Sequence, residues 1–443
     1  MSGSTGPRRC AKCGRDSGRI SSRFGTRNVL VAGARRETSI LSDPSGERRG
    51  SGPPGGLAAL DIARALIACR SVTPADAGAL PYLRDLLAGA GFAAHLVTFS
   101  APGTPDVLNL YARFGTETPN LAFAGHTDVV PPGDLKSWRF DPFSATVADG
   151  FLWGRGACDM KGGVAAAVAA AIGFVRRGAF AGSISLLITG DEEGPSVNGT
   201  VKLLDWALGH GERFAHCIVG EPSSVEKLGD TIKNGRRGSL TGRLAIHGRQ
   251  GHVAYPQIAD NPIRALGPIL SALFAPPLDS GSPDFDPSNL EVVTVDVGNP
   301  ATNVIPAAAR LVFNVRFNDC WTPDTLQAEL KRRVAAAAGS ARYDLAFDPT
   351  NAVAFLTRRG PFTDLVARAV EDVTGLRPAL STSGGTSDAR FIRHACPVVE
   401  LGLPNATIHA VDERAAVADI QGLARIYERV FELYFSDPPL ASA

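Results

Sequence analysis

Apolar runs in this chain repeatedly break off at a histidine or a carboxylate, with Gly or Pro close by. Leu121 to Gly125 runs into His126-Thr127-Asp128, and Ser183 to Thr189 into Gly190-Asp191-Glu192-Glu193-Gly194. His216 to Gly220 runs into Glu221-Pro222, and Phe151 to Gly156 leads into Cys158-Asp159. Short apolar runs of this kind read as buried strands, and helical spacing appears between them, as in Val164 to Arg177. In an open α/β sheet, ligands bind beyond the carboxyl ends of the strands. His126, Asp159, Glu193 and Glu221 are therefore expected to converge at one end of one sheet. His409 joins them, because its loop follows a further apolar run, Pro397 to Leu401.

The texture changes near Gly238. Ser239 to His247, Glu291 to Gly298 and Ala309 to Phe317 alternate apolar and polar residues, which suits an antiparallel sheet with one wet face. Asn261 to Phe274 and Pro323 to Ala337 have helical spacing between those strands. Beyond Asn351 the first texture returns, with helices from Asp364 to Thr374 and Asp419 to Phe435. The α/β pattern is thus interrupted by an inserted α+β unit. The expected division is residues 1–56, a disordered basic extension; 57–237 and 351–443, two parts of one α/β domain; and 238–350, the insertion.

The extension holds eleven Lys/Arg against four Asp/Glu, a net +7 that leaves −6 for the rest of a chain totalling +1. So even a balance gives no electrostatic reason to expect nucleic acid or an anionic membrane as partner. The extension reads as a dispensable tail, an over-long start or an organelle transit peptide. Its Cys10 and Cys13 lack the second pair or the histidines of a zinc site. The seven cysteines are sparse and odd in number, which suits reduced thiols in the cytoplasm. The longest apolar run without Gly, Val164 to Ile172, is far shorter than the ~20 residues of a membrane span.

Two imidazoles and three or four carboxylates at strand ends suit a pair of divalent cations, because a carboxylate can bridge two ions. Asp128 follows His126 by two residues, on the same face of an extended segment, and could accept the other imidazole N–H. In Glu192-Glu193, neighbouring side chains on an extended chain point to opposite sides. One could hold metal while the other moves protons. His95, His210, His216, His247 and His394 stand alone and read as surface or satisfied core.

The segments 126–131, 154–163, 191–194 and 220–222 are similar, in order and spacing, to the signatures of the dinuclear zinc aminoacylase and carboxypeptidase family. Segments 234–239, 251–256, 302–306, 383–391 and 405–409 resemble the succinyl-diaminopimelate desuccinylase branch of that family. The resemblance implies a mixed-sheet zinc-hydrolase catalytic domain with an inserted dimerisation, or lid, domain. It implies two Zn2+ per subunit, with Co2+ able to substitute. His126 and Glu221 would hold one ion, Glu193 and His409 the other, and Asp159 both. Glu192 would be the general base, and Asp128 would orient His126. His252 would reach the active site of the second copy in a homodimer. Arg236, Tyr255, Arg316 and Asn405 would contact the diamino-acid end of the substrate, and Asn303, Gly385 and Thr386 the acyl end. The implied reaction splits an N-succinylated diamino acid, a step of lysine and cell-wall precursor biosynthesis. An acetylornithine deacetylase or a dipeptidase is the alternative. After His409 the chain reads Ala410-Val411-Asp412-Glu413, where the family pattern has Lys-Val-Asn-Glu.

Overall fold

The computed structural model describes residues 58–436. The basic extension, Cys10, Cys13 and the last residues of the chain lie outside them.

An eight-stranded mixed sheet carries the strands that precede His126, Glu193, Glu221 and His409. Across it run Ala93–Ala101, Thr104–Phe114, Ser183–Thr189, Asn120–His126, His216–Val219, Val398–Glu400, Thr231–Lys233 and Ala379–Ser381. The strand ending at His126 pairs in parallel with Ser183–Thr189 on one side and His216–Val219 on the other. Every residue of Asn120–His126 and of Ser183–Thr189 is buried. Alternation along the strand explains why. Leu121 and Phe123 join the core beneath one face, and Ala122 and Ala124 the smaller core on the other.

Helices Ala59–Ala68, Lys161–Val175, Pro361–Thr374 and Val417–Ser436 supply the larger core. Lys161–Val175 is apolar on nearly every side because it is the middle helix. It packs against both Ala59–Ala68 and Val417–Ser436. Thr200–Gly209 and the short helix Ala389–Ile392 close the opposite face.

A second, four-stranded antiparallel sheet runs Asn289–Asp296, Ala308–Phe317, Gly238–His247, Arg342–Phe347. Ile263–Phe274 and Pro323–Ala338 lie on one face, around Leu244, Phe313, Leu326 and Leu330. Two glycines in the central strand have a packing reason. A Cβ on Gly238 would lie 2.1 Å from the Phe317 ring, and one on Gly242 2.1 Å from the Phe313 ring. Each phenyl ring lies over the glycine opposite it in the ladder. The chain enters and leaves this sheet through a two-residue ladder, Arg236 against Phe355 and Gly235 against Leu356.

Two further features complete the fold. The segment before the first strand forms two helices, Ala59–Ala68 and Ala79–Gly89. The chain between them turns beside the His126 end of the sheet, where Val72 bridges to Val129 and Ser71 Oγ donates to the Thr127 carbonyl. Pro81 does not break the second helix, because it sits in the first turn, where a missing N–H costs nothing. Thr231–Lys233 and Ala379–Ser381 are also sheet strands, yet three residues are too few to show a period.

Candidate active site

The end of the central strand fixes the first imidazole. His126 closes Asn120–His126 and is buried, and its Nδ1–H donates to the Asp128 carbonyl at 2.9 Å. This orients Nε2 toward Asp159 Oδ1 at 3.2 Å and Glu221 Oε1 at 3.8 Å. Asp128 therefore orients His126 mainly through its backbone, since its carboxylate is 3.6 Å from Nδ1. That carboxylate has another task. It accepts the Glu192 N–H at 3.2 Å and the Glu193 N–H at 3.0 Å, fastening the two glutamates beside the His126 strand.

The turn that carries them is bent rather than extended, so strand alternation does not separate Glu192 from Glu193. Asp191 shapes the bend, because its carboxylate accepts the N–H groups of Ser196, Val197 and Asn198. Of the three adjacent acids, one is structural and two face the cluster. Glu193 Oε1 meets His409 Nε2 at 2.8 Å, and Glu192 Oε1 lies 4.0 Å from Arg390 Nη1.

Asp159 follows the expected run, but that run belongs to a different sheet than expected. It follows Phe151–Trp153, a strand of a separate three-stranded sheet, and immediately precedes helix Lys161–Val175. Its Oδ2 lies 3.0 Å from His409 Nε2 while Oδ1 faces His126, so one carboxylate stands between both imidazoles. Glu221, two residues past Val219, completes the site from the neighbouring strand. The helix carrying Gly163 approaches this strand end so closely that a Cβ there would be 2.5 Å from the Gly220 carbonyl.

Potential ligand atoms of His126, Asp159 and Glu221 lie within 4.8 Å of one another, as do those of Asp159, Glu193 and His409. The electrostatics fit a cation in each triad. Burial pushes the Glu221 carboxyl up to about 8, aided by Asp159 and opposed by His126. Burial, with Glu221 and Asp388, raises Glu192 well above the usual carboxylate range. Burial would discharge His126, but its hydrogen bond and the fields of Asp159, Asp128 and Glu221 raise it well above an ordinary histidine. Hydrogen bonds with Asp159 and Glu193 raise His409 to about 10. Asp159 is pushed up by burial, yet the two imidazoles outweigh that and hold it below its ordinary value. Excess carboxyl groups thus hold protons on both imidazoles. Divalent cations would take the place of those protons.

The expected substrate contacts divide into groups. Arg236 is buried, and Glu400 occupies its Nε at 2.8 Å and also its Nη2. Only Nη1 remains, 3.4 Å from the Ser383 carbonyl, so Arg236 is a held side chain rather than an open anion clamp. His252 and Tyr255 are exposed with rings 5.6 Å apart, and the exposed Asn303 accepts the Val253 N–H. Arg316 is half-buried in the second sheet, where burial and Arg237 lower its pKa. No hydrogen bond links these four residues with the carboxylate–imidazole cluster. Gly385 is exposed and Thr386 half-buried in the loop after Ala379–Ser381, and half-buried Asn405 donates its N–H to the Ser224 carbonyl.

Three charged residues at this end were not anticipated. Glu400 anchors Arg236 and accepts from Ser387 Oγ. Asp388 and Arg390 are buried beside Glu192, with Asp388 Oδ1 and Arg390 Nη1 lacking a hydrogen-bond partner among the described residues. Their segment, 383–391, carries a family motif, and that was the available signal. A cavity of about 830 Å3 lined by His216, Phe355, Arg358, Phe362, Arg393 and His394, among others, contains no carboxylate and shares no residue with the cluster.

Comparison with known proteins decides the family. Residues 122–433 match the model of peptidase family M20/M25/M40. The chain belongs to this family. Among curated members, a succinyl-diaminopimelate desuccinylase of Methylorubrum extorquens is 62% identical over 379 residues, covering 85% of this chain and 98% of that protein. The protein of the same name from Beijerinckia indica subsp. indica is 59% identical over 378 residues, covering 85% of this chain and 99% of the other. Solved M20 folds agree at lower identity. An M20 family metallo-carboxypeptidase from Sulfolobus solfataricus superposes with a TM-score of 0.69 at 18% identity, covering 85% of this chain and 99% of that one. A dinuclear metal binding M20 peptidase from Bacillus subtilis gives 0.60 at 16% identity, covering 85% and 98%. The mixed-sheet M20 hydrolase fold expected from the motifs is the fold observed.

The charge balance of the family site has a testable consequence. Glu221 ionises freely when unfolded but only near pH 8 when folded without metal, so its burial costs stability increasingly as pH rises from about 4.5 to 8. In chelator, Glu221→Gln is expected to melt above wild type at pH 8.5, with the gap closing toward pH 4.5 in scanning calorimetry. A gap independent of pH would contradict this electrostatic account.

Proposed function

We propose that this chain is a dinuclear metal-dependent amide hydrolase that converts N-succinyl-LL-2,6-diaminopimelate and water into succinate and LL-2,6-diaminopimelate. The observation that carries the reading is the pair of ligand triads sharing Asp159; Glu192 lies outside both, although its carboxylate also comes within 4.8 Å of ligand atoms of His126 and Glu193. Its substrate comes from the relatives that bear the desuccinylase name across nearly their whole length. Those relatives favour it over acetylornithine deacetylase or a dipeptidase.

His126 and Glu221 would hold one cation, Glu193 and His409 the other, and Asp159 both. Imidazole and carboxylate donors suit zinc, and cobalt is an acceptable substitute. When bound, the ions supply Lewis acidity toward the amide carbonyl and make a water easier to deprotonate. Glu192 takes the proton from that water as its oxygen bonds to the carbonyl carbon. Collapse breaks the C–N bond, and Glu192 delivers the proton to the departing nitrogen, which leaves as the amine. Asp128 keeps Glu192 in reach through its backbone N–H. The charge on His126 opposes the burial that would keep Glu192 protonated, and so favours the ionised base.

The domain division at 57–237, 238–350 and 351–443 is part of the same proposal, with the ladder of Gly235–Arg236 against Phe355–Leu356 at the crossing. His252, Tyr255, Asn303 and Arg316 belong to the inserted part. They would meet Gly385, Thr386, Asn405 and Arg236 around the substrate once the parts approach. His252 would come from the second copy of a homodimer. The edge strand Asn289–Asp296 supports pairing of copies, since Val293 and Val295 are 58% and 49% exposed on it. The cytoplasm is the proposed location, and unpaired Cys69, Cys158, Cys217, Cys320 and Cys396 fit its reducing chemistry.

Turnover of N-succinyl-LL-diaminopimelate and N-acetylornithine by zinc-loaded protein tests the reaction. Strong preference for the succinyl substrate is expected, with Glu192→Ala lowering kcat by ~10²–10⁴. Hydrolysis of acetylornithine alone would remove the substrate assignment. Full activity in Glu192→Ala would remove the base. Sedimentation equilibrium tests the pairing. Wild type is expected at twice the chain mass and Val293→Lys at a reduced dimer fraction, whereas a wild-type monomer would refute the dimer.

A further inference from the structure

Glu413 is buried and makes no contact with the substrate side of the cluster, yet it is tied to more of the metal-site backbone than any ligand is. Its Oε1 accepts the N–H groups of Cys158 at 3.0 Å and Asp159 at 3.1 Å, and the Cys158 thiol donates to it at 3.3 Å. Its Oε2 accepts the Gly156 N–H at 2.9 Å and Arg155 Nη1 at 2.6 Å. The Arg155 guanidinium packs on the Trp138 ring at 5.2 Å and extends Nη2 to the His409 carbonyl at 3.3 Å.

The two triads therefore rest on different foundations. His126 and Glu221 stand at the ends of adjacent parallel strands, in register from Leu121–His216 to Ala124–Val219. Their separation follows from the sheet. Asp159 and His409 stand on loops distant in sequence, and His409 is half-exposed with φ +57, a left-handed backbone uncommon outside glycine. Glu413 and Arg155 join those loops. Other ties exist: the ladder of Arg414–Ala416 against Phe151–Trp153, the Gly154 N–H to the Glu413 carbonyl at 2.9 Å, the Arg139 N–H to Asp412 at 2.7 Å, and a Cys158 Sγ–Thr407 Oγ1 contact at 3.8 Å; of these four, just the long Cys158–Thr407 contact reaches the Asp159 turn.

We propose that Glu413, acting with Arg155, is a positioning residue that sets Asp159 and His409 at the spacing one cation needs, and that it governs the Asp159–Glu193–His409 site selectively. The inference rests on the dinuclear reading above. Asp159 serves both triads, but the first keeps two ligands on the sheet when the Asp159 turn loosens. The second has two of its three ligands on the loops that Glu413 joins. Glu413→Gln keeps the shape but turns an amide N–H₂ toward donors that need an acceptor.

The test titrates chelator-stripped full-length protein with zinc chloride in a calorimeter and records the metal-free melting temperature beside it. Wild type is expected to bind two ions. Glu413→Gln is expected to bind the first unchanged and the second about 10–100-fold more weakly. Glu413→Asp, one methylene short, should not restore it. Arg155→Lys keeps a charge for Glu413 and loses the reach to His409, so it should weaken the same ion by less, and it carries the test if the Glu413 variants do not fold. A general structural role would weaken both ions together and lower the metal-free melting point, and that result overturns the proposal. Two unchanged ions in Glu413→Gln overturn it while leaving the dinuclear reading intact. Wild type that binds no zinc overturns both.

Discussion

Asp159 lies between two imidazoles, 3.2 Å from His126 through one oxygen and 3.0 Å from His409 through the other. Around it Asp128, Glu192 and Glu221 crowd into a region where burial makes ionisation costly. Without cations the cluster balances itself only by keeping protons on the histidines and on part of the acids. Much of the nearby structure serves to hold those like charges together. The Asp128 carboxylate ties down the Glu192-Glu193 turn, Asp191 shapes it, and Glu413 holds the Asp159 turn from behind.

The sheet gives this crowding a rigid frame. Burial on both faces leaves the His126 strand with no solvent-facing side, so its carboxyl end cannot shift without disturbing both cores. Small residues then let the elements close up. Gly163 brings the helix after Asp159 against the Gly220 carbonyl, and Gly125 leaves room for the Met160 and Val164 side chains. The second sheet has its own core around Phe313 and Phe317, separate from the cores that flank the carboxylate–imidazole cluster. A substrate with a charged group at each end suits such a division, because one part can carry the chemistry and the other the recognition.

The strands that carry the candidate ligands were legible because each side chain follows an apolar run, and burial of that run dictates where it ends. His126, Glu193 and Glu221 are of this kind. For Asp159 the preceding run was legible but its sheet was not, since Phe151–Trp153 is only three residues long and lies in another sheet. The Arg236 partner was illegible. Glu400 occurs in an apolar strand 164 residues away, and nothing local marks it as the counter-charge. The same holds for Glu413, which reads as part of a polar loop until its five donors are seen. Long-range pairing of buried charges depends on topology, and a linear pattern does not encode it. Asp128 shows a finer limit. Its spacing from His126 was right, but the backbone carbonyl, rather than the carboxylate, makes the close contact.

Diffraction at the zinc edge from crystals of the zinc-loaded protein addresses the shared carboxylate most directly. Two anomalous peaks ~3.5–4 Å apart are expected, one on each side of the Asp159 carboxylate, with His126 and Glu221 at one and Glu193 and His409 at the other. A single peak, or two peaks of which only one contacts Asp159, would contradict the account.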